Sequence, residues 1–319
     1  MKRLFNKVIY IILILFFTIN TAQAEYDDLY RVKYKDYWLY LNENGESVIK
    51  IPVSKFDDVG NFIEGRGFVT KKIKDVEYDE IDGNFYYKLV YIAIIDSDNN
   101  IIKKFDKAVL ILDDDGETNA SYIPEFYKGF ARITFVENKH INKIKYSKIK
   151  TKDVYVDKMG NFVPENQIPY EIKEMLNNWH MARDRYEYNN DLIPKEVGCT
   201  NTNDFNCFAY VDSNSKVIIP PVWIADFIGC GDWYARSPYF YNDRAVAYLP
   251  LGKSPLTNGY FLFINTNGKP INNVVYKYVE PFYKKLSIVI FPNDERAYIN
   301  TSGKVIWSEK MQQKRDKVH

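Results

Sequence analysis

The feature that most restricts what this chain can become is a short pattern written six times along it. The copies read Trp38-Leu-Tyr-Leu-Asn42-Glu-Asn-Gly45, Ile92-Ala-Ile-Ile-Asp96-Ser-Asp-Asn99, Asp153-Val-Tyr-Val-Asp157-Lys-Met-Gly160, Phe208-Ala-Tyr-Val-Asp212-Ser-Asn-Ser215, Phe261-Leu-Phe-Ile-Asn265-Thr-Asn-Gly268 and Arg296-Ala-Tyr-Ile-Asn300-Thr-Ser-Gly303. Each is an apolar or aromatic stretch, an Asp or Asn, two turn residues and then usually Gly. An Asp or Asn side chain folds onto the backbone two residues ahead and starts a tight turn. Three residues on, the chain needs a positive φ, which Gly adopts without steric cost. Asn99 is a tolerated substitute there and Ser215 a poorer one. A second apolar pair follows each turn: Val48-Ile49, Ile101-Ile102, Phe162-Val163, Val217-Ile218, Val305-Ile306 and, damaged by proline, Pro270-Ile271.

Strand, turn, strand repeated in this way predicts an all-β chain. It is an array of antiparallel hairpins near 38–49, 92–102, 153–163, 208–219, 261–271 and 296–306, stacked so that neighbours bury a continuous apolar face. The anchoring Asp or Asn residues are 54, 61, 55, 53 and 35 positions apart, so the hairpins carry insertions of unequal length. An aromatic content of 16%, with 27 Tyr and 20 Phe, suits pleated surfaces on which rings pack across strands.

A second signature follows several hairpins. It is clearest as Phe56-Asp-Asp-Val59-Gly-Asn-Phe62-Ile-Glu-Gly65-Arg-Gly67-Phe-Val69, echoed by Phe126-Tyr-Lys-Gly129-Phe-Ala131-Arg-Ile133. Weaker echoes are Trp223-Ile-Ala225-Asp-Phe227 with Ala245-Val-Ala247, and Tyr276-Lys-Tyr-Val279-Glu-Pro-Phe282. With this second element the chain resembles the WG-repeat family over roughly residues 30 to 307. The family's unit runs Trp-Gly-Tyr-Ile-Asp, two residues, Gly-Lys, an apolar strand, then Phe-x-x-Gly and small-x-Val. The naming Trp survives as Trp38, while the naming Gly is replaced by Leu39, Ala93, Val154, Ala209, Leu262 and Ala297. The resemblance implies a β-repeat scaffold used for binding or interaction, with no shared catalytic residues to carry over.

Between the third and fourth hairpins the apolar period changes. Ile168, Ile172, Met175, Leu176, Trp179 and Met181 fall mostly at helical spacing behind Pro169, predicting one amphipathic helix over about 169–183 whose apolar face covers the sheet. The polar stretch after it is the expected loop, and the charged tail 310–319 is expected to fray. The repeat domain is thus read as 25–309.

The first 24 residues carry Lys2, Arg3 and Lys7, the apolar run Val8 to Ile19, and Ala22-Gln23-Ala24. That is the order of a secretory signal, with cleavage expected after Ala24. The apolar run falls short of the ~20 residues that span a bilayer, and no Cys is placed for a lipid anchor, so a periplasmic or extracellular protein without a stable membrane anchor is expected. In such a compartment disulfides persist. Of Cys199, Cys207 and Cys230, the first two flank a polar loop and are the expected bridge, with Cys207–Cys230 as the rival. The net charge of +1 gives no field for nucleic acid.

No catalytic constellation is visible. His180 and Asp184 read as a solvated helix pair, Ser121 and Ser237 lie in no nucleophile elbow, and the Asp113-Asp114-Asp115-Gly116-Glu117 run lacks EF-hand spacing. The thiols have no zinc-like spacing to His140, His180 or His319. Neither cofactor nor metal is expected. The segment that breaks the repeat with clustered rings runs from Trp223 to Tyr241, and it supplies the candidate ligand contacts: Trp223, Asp232, Trp233, Tyr234, Arg236, Tyr239 and Tyr241. The reading is an exported, non-enzymatic binding protein whose partner is a protein or a cell-envelope glycan. Its rivals are a secreted hydrolase with an unrecognised carboxylate pair and a structural envelope component.

Overall fold

In a computed structural model the chain is described over residues 28–80, 83–112, 123–137, 150–177, 192–198, 206–224, 239–250 and 259–318. The expected signal segment lies outside them. The chain is all-β, its sheets are antiparallel throughout, and two α-helices occur among the described residues. The region read as one domain divides into two compact units, 1–42 with 47–177 and 43–46 with 178–319.

The first unit contains β1 (Tyr30–Tyr34), β2 (Tyr37–Leu41) and β3 (Ser47–Pro52) as one sheet. A second sheet holds β4 (Asp58–Ile63), β5 (Arg66–Glu80), β6 (Gly83–Ile95), β7 (Ile101–Leu112), β8 (Phe130–Val136), β9 (Thr151–Asp157) and β10 (Phe162–Val163) in chain order. The 89–95 part of β6 is a run of apolar residues because it packs on both faces. Val90, Ile92 and Ile94 pack with Phe68, Phe105, Phe126 and Ile133, whereas Ala93 and Ile95 pack with Tyr40, Ile51 and Phe62. The second unit has β11 (Ile193–Gly198), β12 (Asn206–Val211), β13 (Val217–Ile224), β14 (Arg244–Pro250) and β15 (Gly259–Asn265) in one sheet. A further sheet holds β16 (Tyr278–Val279), β17 (Leu286–Ile290), β18 (Arg296–Asn300) and β19 (Val305–Ser308).

The repeated anchors make one turn. At Asp96, Asp157, Asp212, Asn265 and Asn300 the side-chain Oδ1 accepts the amides of the second and fourth residues onward, at 2.8–3.1 Å. The anchor amide donates to the carbonyl four residues on, and its carbonyl accepts the amide three residues on. The third residue has positive φ in all six copies: 74° at Gly45, 63° at Asn99, 74° at Gly160, 63° at Ser215, 72° at Gly268 and 79° at Gly303. This is a type I turn followed by a left-handed residue, which closes the hairpin through a bulge.

Turns also nest on the preceding hairpin within each unit. A Cβ at Gly160 would lie 2.5 Å from Lys103 Cβ, and one at Gly268 would lie 2.6 Å from Ile219 Cγ2. Lys103 and Ile219 both stand seven residues beyond the preceding anchor, Asp96 and Asp212. Two arginines repeat a second contact: Arg66 Nε donates to Lys158 O at 3.2 Å, and Arg244 Nε to Thr301 O at 2.7 Å.

The second signature is a two-residue turn. Its first residue has positive φ at Glu64, Lys128, Asn242 and Lys284. The aromatic two places ahead, Phe62, Phe126, Phe240 or Phe282, is buried in every copy, and so is the small residue after the turn at Ala131, Ala245 and Ser287. Phe240 therefore fills this place in the third copy.

Helix α1 (Tyr170–Asn177) forms where the apolar period changes. Ile172 and Leu176 bury against Tyr155 and Ile168, beside Tyr127, Phe130 and Val163, so the helix covers β8, β9 and β10 as expected. The expected continuation to 183 lies outside the described residues. The tail differs from expectation, since Glu309–Asp316 is a helix, α2, rather than frayed chain. Ser308 caps it by accepting the Met311 amide at 3.2 Å, and buried Trp307 donates from Nε1 to Gln312 Oε1. Glu309 at the start and Lys314 and Arg315 at the end match the helix dipole.

Candidate functional site

The acids of the hairpins are occupied in holding backbone. Burial raises the affinity of Asp157 for its proton, but the Asn161 side chain and the amides of residues 159–161 outweigh this and hold the carboxyl below its ordinary range. Asp57 behaves alike: burial pushes it up, and the Lys72 amide at 2.6 Å with Lys71 Nζ at 3.0 Å bring it down. Glu64 accepts the amides of Lys128 at 2.6 Å and Gly129 at 2.8 Å, which ties one two-residue turn to the next. Burial raises the Tyr40 phenol above its usual range, and its hydroxyl donates to Gly60 O at 2.7 Å. Among the described residues no group of three or more His, Cys, Asp or Glu is placed to hold a metal.

The segment expected to carry a ligand is an insertion between β13 and β14. These strands pair at Ile224 and Tyr248; residues 225–238 between them lie outside the described residues, and β14 begins at Arg244. Asp232, Trp233, Tyr234 and Arg236 lie outside the described residues. Trp223 stands opposite Phe208 in the β12–β13 ladder. Tyr239 is exposed.

Tyr241 is corrected. It is 1% exposed and packs with Tyr248, Phe263, Tyr276 and Phe282, so it is core and not a ligand contact. The reason is its place beside a two-residue turn, where its amide and carbonyl both bond to Arg244. Phe240 beside it meets Tyr210 edge-on at 4.9 Å. The insertion is thus rooted by two buried rings, leaving Tyr239 outward.

A covalent tie lies at the same root. Cys207 is buried and disulfide-bonded, and it stands opposite both Val197 of β11 and Ile224 of β13. Cys199 and Cys230 both lie outside the described residues. No family model matches this chain, and no curated protein matches it.

One exposed ring escaped the sequence reading. Phe162 was expected to pack as the apolar residue after its turn, yet it is 63% exposed. Comparison across the repeats would have flagged it, since the same place, five after the anchor, holds Ser47, Ile101, Val217, Pro270 and Val305.

Proposed function

We propose that this chain is an exported, non-enzymatic binding or interaction protein on a degenerate WG-type hairpin scaffold. Its ligand is a protein or a cell-envelope glycan, taken at the insertion between β13 and β14. The observation that carries this reading is the division of labour at that insertion. The repeats spend their anchor Asp and Asn side chains on turns and most of their rings on the core, whereas the sequence between β13 and β14 departs from the repeat next to buried Phe240 and Tyr241 and to disulfide-bonded Cys207. A segment whose sequence departs from the repeat between two scaffold strands is where recognition residues concentrate.

Trp233 is the residue to test, with the mature chain from Glu25 as the material. Binding to purified cell-wall glycan and to separated envelope proteins is measured, together with release of new reducing ends. Trp233→Ala should weaken binding by about 2 kcal/mol, the usual size for a central aromatic contact, with the unfolding midpoint unchanged. Unchanged binding with a large loss of stability would show that Trp233 is core. Steady release of reducing ends would favour the hydrolase.

A further inference from the structure

The exposed Phe162 belongs to a cluster. Its ring centroid lies 6.0 Å from that of Phe105 and 6.3 Å from that of Phe135, and Phe105 and Phe135 lie 6.0 Å apart at 68°. The three come from different strands, β7, β8 and β10. Phe105 is 5% exposed and forms the floor, while Phe162 stands at the rim. The adjoining turn is drawn close, because Gly160 rests on Lys103 and on the Phe105 ring edge. At this place the sibling hairpins carry Ser47, Ile101, Val217, Pro270 and Val305, so the large ring of Phe162 is particular to this hairpin.

Two lysines flank the rings. Lys103 lies against the Gly160 turn, and Lys152 is the cross-strand neighbour of Phe135, on the same face of the β8–β9 ladder. Both are exposed and neither has an acidic partner among the described residues. Two of the acids near them in sequence are engaged elsewhere. Asp153 accepts Thr134 Oγ1 at 2.6 Å and pairs with Arg132, and Asp157 is held in its own turn. Strand β10 also ends the order of its sheet.

We propose that Phe105, Phe135 and Phe162, with Lys103 and Lys152, form a second recognition surface for an acidic peptide bearing an apolar side chain. The apolar side chain rests on the rings, its flanking carboxylates meet the two ammonium groups, and its backbone runs beside β10, the outermost strand of its sheet among the described residues. The chemistry favours a peptide over a neutral sugar. The rings are Phe and carry no hydroxyl, and the nearby side-chain donors are cations, which suit carboxylates better than sugar hydroxyls.

The test uses the full mature chain and a fluorescein-labelled peptide alternating Asp with Phe. Two comparison peptides alternate Lys with Phe and Asp with Ser. The Asp-Phe peptide should bind at least roughly tenfold more tightly than either comparison, and added salt should weaken it. Phe162→Ser, which installs the residue found in the first hairpin, should reduce affinity about tenfold or more with an unchanged unfolding midpoint. Lys103→Glu with Lys152→Glu should do the same while keeping all three rings. Trp233→Ala should leave this peptide's affinity unchanged, which separates this surface from the insertion. Equal binding of the three peptides, indifference to both variants, or Phe162-dependent binding to glycan or to anionic phospholipid vesicles instead of peptide would overturn the proposal.

Discussion

Replacing Gly160 by Ala tests whether the hairpins are held by nested turns. Two costs are expected. The first is conformational: φ is 74°, and a Cβ in the left-handed region costs about 1–2 kcal/mol. The second is steric, because the new Cβ would lie 2.5 Å from both Cβ and Cγ of Lys103 and 3.3 Å from Cζ of Phe105. These atoms are the root of a strand side chain and a core ring rather than a free side-chain end, so β7 must shift, at about 1–3 kcal/mol. Gly129→Ala isolates the first cost in the same unit, since Gly129 has a φ of 87° and a Cβ there would meet nothing within 4 Å. Urea unfolding followed by far-ultraviolet circular dichroism should place the loss for Gly160→Ala about 1–3 kcal/mol above that for Gly129→Ala. Equal losses would refute the nesting and leave the turn glycines as conformational devices only.

Three further outcomes are expected. Asp157 is held below its ordinary range when folded, so its stabilisation is complete above the unfolded value of about 3.9 and is lost as pH falls through the folded value. Asp157→Asn, which copies Asn265 and Asn300, should flatten the acid limb of the stability curve and change stability at neutral pH by less than about 1 kcal/mol; an unaltered acid limb would show that another group carries it. Tyr241→Ala should cost about 3–5 kcal/mol in denaturant unfolding and Tyr239→Ala less than about 1 kcal/mol, and the reverse order would move Tyr241 out of the core. Non-reducing peptide mapping should find Cys207 joined to Cys199 in a small ring contributing about 2.5 kcal/mol, and a Cys207–Cys230 peptide would replace that assignment.

The sequence by itself determined the turns. Each anchor bonds amides two and four residues away, so the whole device fits within a few residues and needs no neighbour to specify it. The positive φ three residues on was legible for the same reason, down to the substitutes Asn99 and Ser215. The apolar period of α1 was also local, as was the break in pattern that marks the insertion between β13 and β14. Tertiary structure decided which side chains of these elements are covered. Tyr239 and Tyr241 are two residues apart in one aromatic run, and only the neighbouring strands make one of them surface and the other core. Phe162 obeys the hairpin pattern and still stands in water, because it alternates with Val163 on β10 and so faces away from the helix α1 that packs on Val163. Helix α2 forms because burial of Trp307 fixes the chain at Ser308, where its hydroxyl can cap the next turn. A bulge closes several of the hairpins and shifts the alternation of the strand after it, so inward and outward faces cannot be carried across the turn by counting in twos. Hydrogen bonds between near neighbours are written in the chain, whereas burial depends on which strand comes to lie alongside.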